Sequence, residues 1–205
     1  MQLAALKSEQ QKIFKRLKNF PEFYLVGGTA LALQMSHRIS IDFDLFSPNE
    51  IPRNLMAKLR KIFKDFKIEV ILNHSEQLSI KAGQTKIDFV KYGFPLISKL
   101  INFEGVKLVS VPEIAAMKAF AVGQRGTLKD YVDLYFILEK KRANLSEIKK
   151  LAEEKYKKEF NFRLFLEQLV YLEDIKIEQI EFTKEEIAKE QLQEFFQKEI
   201  QKLKL

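Results

Sequence analysis

The sequence predicts an α+β chain: a mixed β-sheet flanked by helices over residues 1–110, then a helical bundle over residues 111–205. Three observations predict it. Short apolar runs with two-residue alternation and glycine breaks are confined to residues 23–109. From residue 146 onward the apolar residues recur only at helical spacing. Between these stretches, Val111-Pro112 puts a proline where the first turn of a helix tolerates one.

Each element follows from local pattern. Leu3, Leu6, Ile13, Phe14 and Leu17 are spaced as one helix face, which Pro21 must end. Phe23-Tyr24-Leu25-Val26 reads as a short buried strand broken by Gly27-Gly28, with Thr29 as the cap of the next helix. Ile41 to Phe46 alternates apolar and acidic residues, the period of a strand with two unlike faces. A basic amphipathic helix is expected from Pro52 to Lys64, then strands at Lys67–Leu72, Leu78–Lys81 and Thr85–Tyr92. Ala82-Gly83-Gln84 supplies the hairpin between the last two, and Val106–Val109 adds a short strand. Helices follow at 113–124, 127–141, 146–158, 161–173 and 184–203, with Ser146 and Thr183 as caps.

Composition narrows the function classes. The 205 residues fit one or two domains at ~150 residues each. With 46% apolar residues, 7 Gly and 5 Pro, the chain is neither collagen-like nor low-complexity. It has no cysteine, which excludes disulfides and thiolate metal sites. No apolar run approaches the ~18 residues of a membrane span, and the charged first twenty residues do not fit a signal peptide. The expectation is a cytoplasmic protein without membrane contact. The net charge of +7 lies entirely in residues 1–140, a field that favours polyanions such as nucleotides or RNA.

One stretch carries chemistry. Gly27-Gly28 after a strand lets backbone approach a phosphate, and the helix N-terminus behind it offers N–H groups and a positive dipole end. Asp42 and Asp44 lie two apart on the expected strand, so their carboxylates share one face, while Ile41, Phe43 and Leu45 face the core. Such a pair suits Mg²⁺, which takes one or two protein oxygens and completes its shell with phosphate and water. A lysine at 118 amid Ala, Met and Phe is costly to bury unless it meets an anion; otherwise it snorkels to solvent. Lys129 and Asp133 are spaced as a helix pair, and Arg38 and Ser40 are placed to brace the glycine turn. His37 and His74 have no partners at metal spacing, and the eighteen Phe are expected in cores.

Gly27-Gly28-Thr29-Ala30-Leu31 followed by His37-Arg38-Ile39-Ser40-Ile41-Asp42-Phe43-Asp44-Leu45-Phe46 resembles the signature of the nucleotidyltransferase fold, specifically of AbiEii/AbiGii-type toxin nucleotidyltransferases. Ala115 to Ala121 around Lys118, then Arg125, then Lys129-Asp130-Tyr131-Val132-Asp133, resembles that family's second and third motifs. The resemblance covers residues 20–140. It implies a nucleotidyltransferase-type sheet, with Gly27, Gly28 and Thr29 holding the β- and γ-phosphates of an NTP and with Asp42 and Asp44 binding Mg²⁺. In the wider superfamily a third strand carboxylate completes the metal site, and Asp88 is its candidate here; the alternative is an exposed strand aspartate. Lys118 would meet the triphosphate, with Arg125 either assisting it or capping the helix C-terminus, and Asp130 would position Lys118 or the acceptor.

The function so implied is metal-dependent transfer of NMP from an NTP to an acceptor hydroxyl. The resemblance further implies a toxin of a toxin–antitoxin or phage-defence system, with tRNA or protein as acceptor and a cognate antitoxin as partner. Two alternatives stand beside it: a non-catalytic nucleotide-binding module acting through a partner, and a small-molecule transferase of the aminoglycoside-modifying kind.

Overall fold

The computed structural model describes residues 1–183 and 185–203, with the side chain of Arg125 outside the description. The chain divides into two compact units. Residues 1–95 and 99–109 form the first, and residues 96–98 and 110–205 the second.

The first unit is a seven-stranded mixed sheet with three helices. After a 3-10 turn at Leu3–Ala5 come α1 (Ser8–Leu17), β1 (Tyr24–Val26), α2 (Gly27–Met35), β2 (Phe43–Ser47) and α3 (Leu55–Ile62). Then follow β3 (Ile68–Asn73), β4 (Gln77–Ala82), β5 (Thr85–Lys91), β6 (Ile101–Phe103) and β7 (Val106–Leu108). The strand order is β3-β4-β5-β2-β1-β7-β6. β2 lies between an antiparallel β1, with Val26 opposite Asp44, and a parallel β5, with Asp44 opposite Asp88. That register puts the acidic residues of two strands side by side.

Aromatic packing fixes the sheet. Phe14, Phe20, Phe43, Phe63 and Phe89 are all buried, as expected for core residues. Phe20 stacks on Phe63 and meets Phe89 edge-on, with centroids 6.1 and 5.4 Å apart. The β4–β5 hairpin turns at Gly83, whose φ of +63° suits glycine. Its tip is held by Glu9 of α1, whose Oε1 accepts from the Gln84 N–H and the Thr85 hydroxyl, each at 3.0 Å. This fixes β5, and β5 carries Asp88.

Several expected elements shift. The single N-terminal helix is a 3-10 turn plus α1, and β6 was absent from the sequence reading. β6 pairs with β7 across a two-residue turn in which Glu104 and Gly105 both take positive φ. α2 starts at Gly27 with Val26 as its cap, so the two glycines sit inside the first helical turn and Thr29 is not the cap. Ile41 is 51% exposed, not core-facing, because β2 begins only at Phe43.

The second unit is helical: α4 (Val111–Arg125), α5 (Leu128–Glu139), α6 (Leu145–Tyr156), α7 (Phe162–Val170) and α8 (Lys189–Gln201). α4 is central, touching α5, α6 and α7. Asn144 caps α6 through a capping box with Glu147, in place of the expected Ser146. α8 starts five residues later than expected, and Lys184 lies outside the described residues. The Tyr131 hydroxyl donates to the Gln168 carbonyl at 3.1 Å, and burial, with Asp130 adding to it, pushes its pKa up to about 12.

An ion pair sits in this helical core. Lys155 Nζ lies 2.8 Å from Glu113 Oε1, and both side chains are almost wholly buried, at 1% and 0% exposure. Glu113 also accepts from the backbone N–H groups of Ile97 and Ser98, at 3.2 and 2.9 Å. That bond pattern is why residues 96–98 group with the helices. Lys155→Met removes the cation from a buried carboxylate and should lower stability by about 3–5 kcal/mol. The pair Glu113→Gln with Lys155→Met should recover part of that loss, because the buried charge is gone and one of the two backbone donors keeps an acceptor. Urea denaturation followed by circular dichroism measures both, and equal losses in the two variants would contradict the account.

Candidate functional site

The site residues of the first unit gather where β1 runs into α2. Gly27 has φ +69°, and a Cβ there would lie 2.7 Å from Asp44 Oδ2. A Cβ at Gly28 would lie 2.3 Å from Arg38 Nη2. Gly27 is therefore favoured by its backbone as well as by its neighbour, while at Gly28 the Arg38 guanidinium occupies the space that a side chain would take. Asp44 is half-buried, whereas Asp42 is exposed just ahead of the strand.

A buried brace holds this segment. The Thr29 hydroxyl bonds the Ser40 hydroxyl at 2.8 Å and donates to the Asp42 carbonyl. Gln10 of α1 reaches the neighbouring Ile41 carbonyl, donating from Nε2 at 2.8 Å. Thr29 is only 1% exposed, so its side chain positions residues 40–42 and does not face a phosphate. What the turn offers an anion is the first-turn backbone N–H groups of α2, which have no partner within a helix.

Asp88 is not the exposed strand aspartate of the alternative reading. It is 8% exposed, directly opposite Asp44 across the β2–β5 ladder. Its Oδ2 accepts from Lys86 Nζ at 2.6 Å, and its Oδ1 is buried without a hydrogen-bond partner. A buried carboxylate oxygen left in this state calls for a ligand. Among the described residues, no three His, Cys, Asp or Glu side chains form a ready-made metal cage. Mg²⁺ does not need one, because one or two carboxylates plus phosphate and water oxygens satisfy its shell. Asp44 and Asp88 fit that requirement.

Lys86 belongs to this cluster too, although the sequence reading does not name it. The signal was present: Lys86 and Asp88 lie two apart on one strand and so share a face. The Asp88 hydrogen bond raises the Lys86 ammonium above its ordinary pKa, desolvation works against it, and the charges of Asp44 and Asp42 add to the rise.

In the helical unit, Lys118 of α4 is not a snorkelling lysine. Its side chain is 12% exposed, with Nζ 2.7 Å from Asp130 Oδ1 and 2.8 Å from Asp133 Oδ2. Asp130 Oδ2 also accepts from the Thr127 N–H and hydroxyl, closing a capping box at the start of α5. One carboxylate thus starts a helix and orients a lysine of the preceding helix. The expected Lys129–Asp133 helix pair is not formed: Lys129 pairs with Glu178 at 3.0 Å. Arg125 ends α4, and its side chain lies outside the described residues.

Comparison with known proteins places this arrangement. The model of the family described as nucleotidyl transferase AbiEii toxin, type IV TA system, matches residues 12–205. The chain belongs to the AbiEii nucleotidyltransferase toxin family. An uncharacterized protein of Aquifex aeolicus is 33% identical over 200 residues, covering 95% of this chain and 96% of that protein. Among solved structures, a Helicobacter pylori protein assigned as a nucleotidyltransferase is similar at 19% identity and a TM-score of 0.63, over 94% of this chain and 93% of that one. MenT4, a nucleotidyltransferase toxin of Mycobacterium tuberculosis, is similar at 16% identity and a TM-score of 0.65, over 93% and 80% of the two chains. At these identities the structures support the fold, which is the nucleotidyltransferase-type sheet followed by helices. No helix among the described residues is long and apolar enough to cross a membrane.

Gly27→Ala tests the junction. It demands a left-handed backbone from alanine and drives Cβ against Asp44, so stability should fall by at least about 1–2 kcal/mol. Chemical denaturation measures the loss. Unchanged stability would mean that the strand-to-helix turn tolerates a side chain and that Asp44 is not confined there.

Proposed function

We propose that this chain transfers an NMP group from an NTP to an acceptor hydroxyl with Mg²⁺ held by Asp44 and Asp88, joined by Asp42 at the open side of the site. The observation that carries the proposal is the buried, unpartnered Asp88 Oδ1 beside Asp44, whose own carboxylate lies against Gly27. When bound, the metal supplies Lewis-acid neutralisation of phosphate charge. The chain's own residues do the rest. Backbone N–H groups at the start of α2 receive the β- and γ-phosphates. Thr29, Ser40 and Arg38 keep residues 38–44 rigid, so that the carboxylates are aimed before substrate arrives. A carboxylate oxygen of Asp88 accepts the proton of the attacking hydroxyl as the new P–O bond forms and pyrophosphate leaves. In the helical unit, Asp130 and Asp133 hold the Lys118 ammonium, and the resemblance gives Lys118 and Arg125 a role toward the triphosphate.

The acceptor that the charge distribution favours is tRNA. Arg60, Lys61 and Lys64 are exposed on and just after α3. Lys58 differs from them, being paired with Glu22 at 3.1 Å and lying over the Phe20 ring. The biological reading is a cytoplasmic toxin neutralised by a cognate antitoxin. Protein and small-molecule acceptors, and a non-catalytic nucleotide-binding module, are the readings that the test must separate.

The test is incubation with α-labelled NTPs, Mg²⁺ and total tRNA. Label should enter the RNA, and Asp44→Asn should reduce it by at least ~100-fold while circular dichroism stays unchanged. Label on protein or small molecules alone would overturn the tRNA assignment. No transfer to any acceptor would leave the binding-module reading in its place.

A further inference from the structure

Lys86 has no part in the mechanism above, yet its ammonium occupies the carboxylate cluster. It lies 2.6 Å from Asp88 Oδ2, although its side chain is 43% exposed and has open solvent to reach. The parallel register sets Asp44 beside Asp88, and the charges of Asp44 and Asp42 also act on the Lys86 ammonium. One carboxylate bonds this cation, and two more add attractive charge. On its other side Lys86 faces Lys81 of β4, a like-charged cross-strand pair that is unfavourable unless an anion lies close. The anionic cluster outweighs that repulsion and holds Lys86 inward.

We propose that Lys86 is the resident counter-cation of the metal site, and that a divalent ion enters only by displacing its ammonium from Asp88. The inference rests on the metal-dependent reading given above and adds an order of events to it. Without nucleotide, a divalent ion must compete with a charge-assisted hydrogen bond and with a neighbouring positive charge, so bare metal binds weakly. With an NTP, the phosphates contribute further oxygen ligands and tip the exchange. The metal therefore arrives together with the nucleotide. Lys86 also relieves the repulsion among Asp42, Asp44 and Asp88 while the site holds no metal, which keeps the strand ends of β2 and β5 paired.

Mn²⁺ serves as the probe, its binding to nucleotide-free protein followed by electron paramagnetic resonance and its effect on Tm by thermal denaturation. Lys86→Met and Lys86→Gln should both bind Mn²⁺ about ten- to a hundredfold more tightly than wild type. Their metal-free Tm should be lower, and their Tm gain on adding Mn²⁺ larger. Lys81→Met, which removes a neighbouring charge without touching Asp88, should change Mn²⁺ affinity much less. Asp44→Asn should weaken binding in wild type and in the Lys86 variants alike. Asp44-dependent binding of equal or lower strength in Lys86→Met overturns the inference and leaves the metal reading intact. Mn²⁺ binding that Asp44→Asn does not affect in any of these proteins overturns both.

Discussion

The structure of the first unit turns on one close approach: the Asp44 carboxylate against the first turn of α2. The space it fills is the space that side chains at 27 would need, and the left-handed backbone at Gly27 is what lets β1 pass straight into the helix. From that contact the rest follows. Arg38 folds over Gly28, Thr29 clamps Ser40 and the Asp42 carbonyl, and the parallel ladder with β5 brings Asp88 level with Asp44. A carboxylate near a helix N-terminus is electrostatically favourable, whereas a second carboxylate beside it is not. The site therefore holds charge that only cations can balance.

Two lysines meet buried or half-buried carboxylates by different means. In the helical unit, Lys118 is shared by Asp130 and Asp133, and because Asp130 also closes the α5 capping box, the position of the ammonium is tied to the start of a helix. In the sheet unit, Lys86 bonds Asp88 and keeps nearly half of its side chain in solvent. The first arrangement suits a fixed cation. The second suits a cation that leaves, since the cost of returning a half-exposed ammonium to water is small. The buried Lys155–Glu113 pair is a third case, structural throughout, its carboxylate also anchoring the backbone of residues 97 and 98.

Much of this was legible in the sequence because it rests on local rules. The glycine pair, the Asp-x-Asp alternation and the proline at the start of α4 each have a short-range physical meaning, and the fold class followed from where two-residue period gives way to helical period. What was not legible depends on pairing across distance. The side chain of Thr29 reads as a phosphate contact until the 40–42 segment folds over it. The resemblance names Asp88 as the third carboxylate, but its own strand pattern does not tell it from an ordinary aspartate until the β2–β5 register sets it opposite Asp44, and Lys86 acquires meaning only then. β6 escaped because polar Asn102 interrupts its apolar run, although its Glu104-Gly105 turn is a hairpin signal.

Family membership and local geometry point to the same chemistry, but by separate routes: the first from the match over residues 12–205, the second from an orphaned oxygen and a glycine-lined turn. The central claim is that these meet at one metal-bound triphosphate. The most direct test is a crystal structure with Mn²⁺ and a non-hydrolysable NTP analogue, read by anomalous scattering at the manganese edge. The account predicts a manganese peak bridging Asp44 and Asp88, with the β- and γ-phosphates against the backbone of Gly27 and Gly28 and with Lys86 withdrawn from Asp88. A nucleotide bound elsewhere, or manganese absent from these two carboxylates, would contradict it.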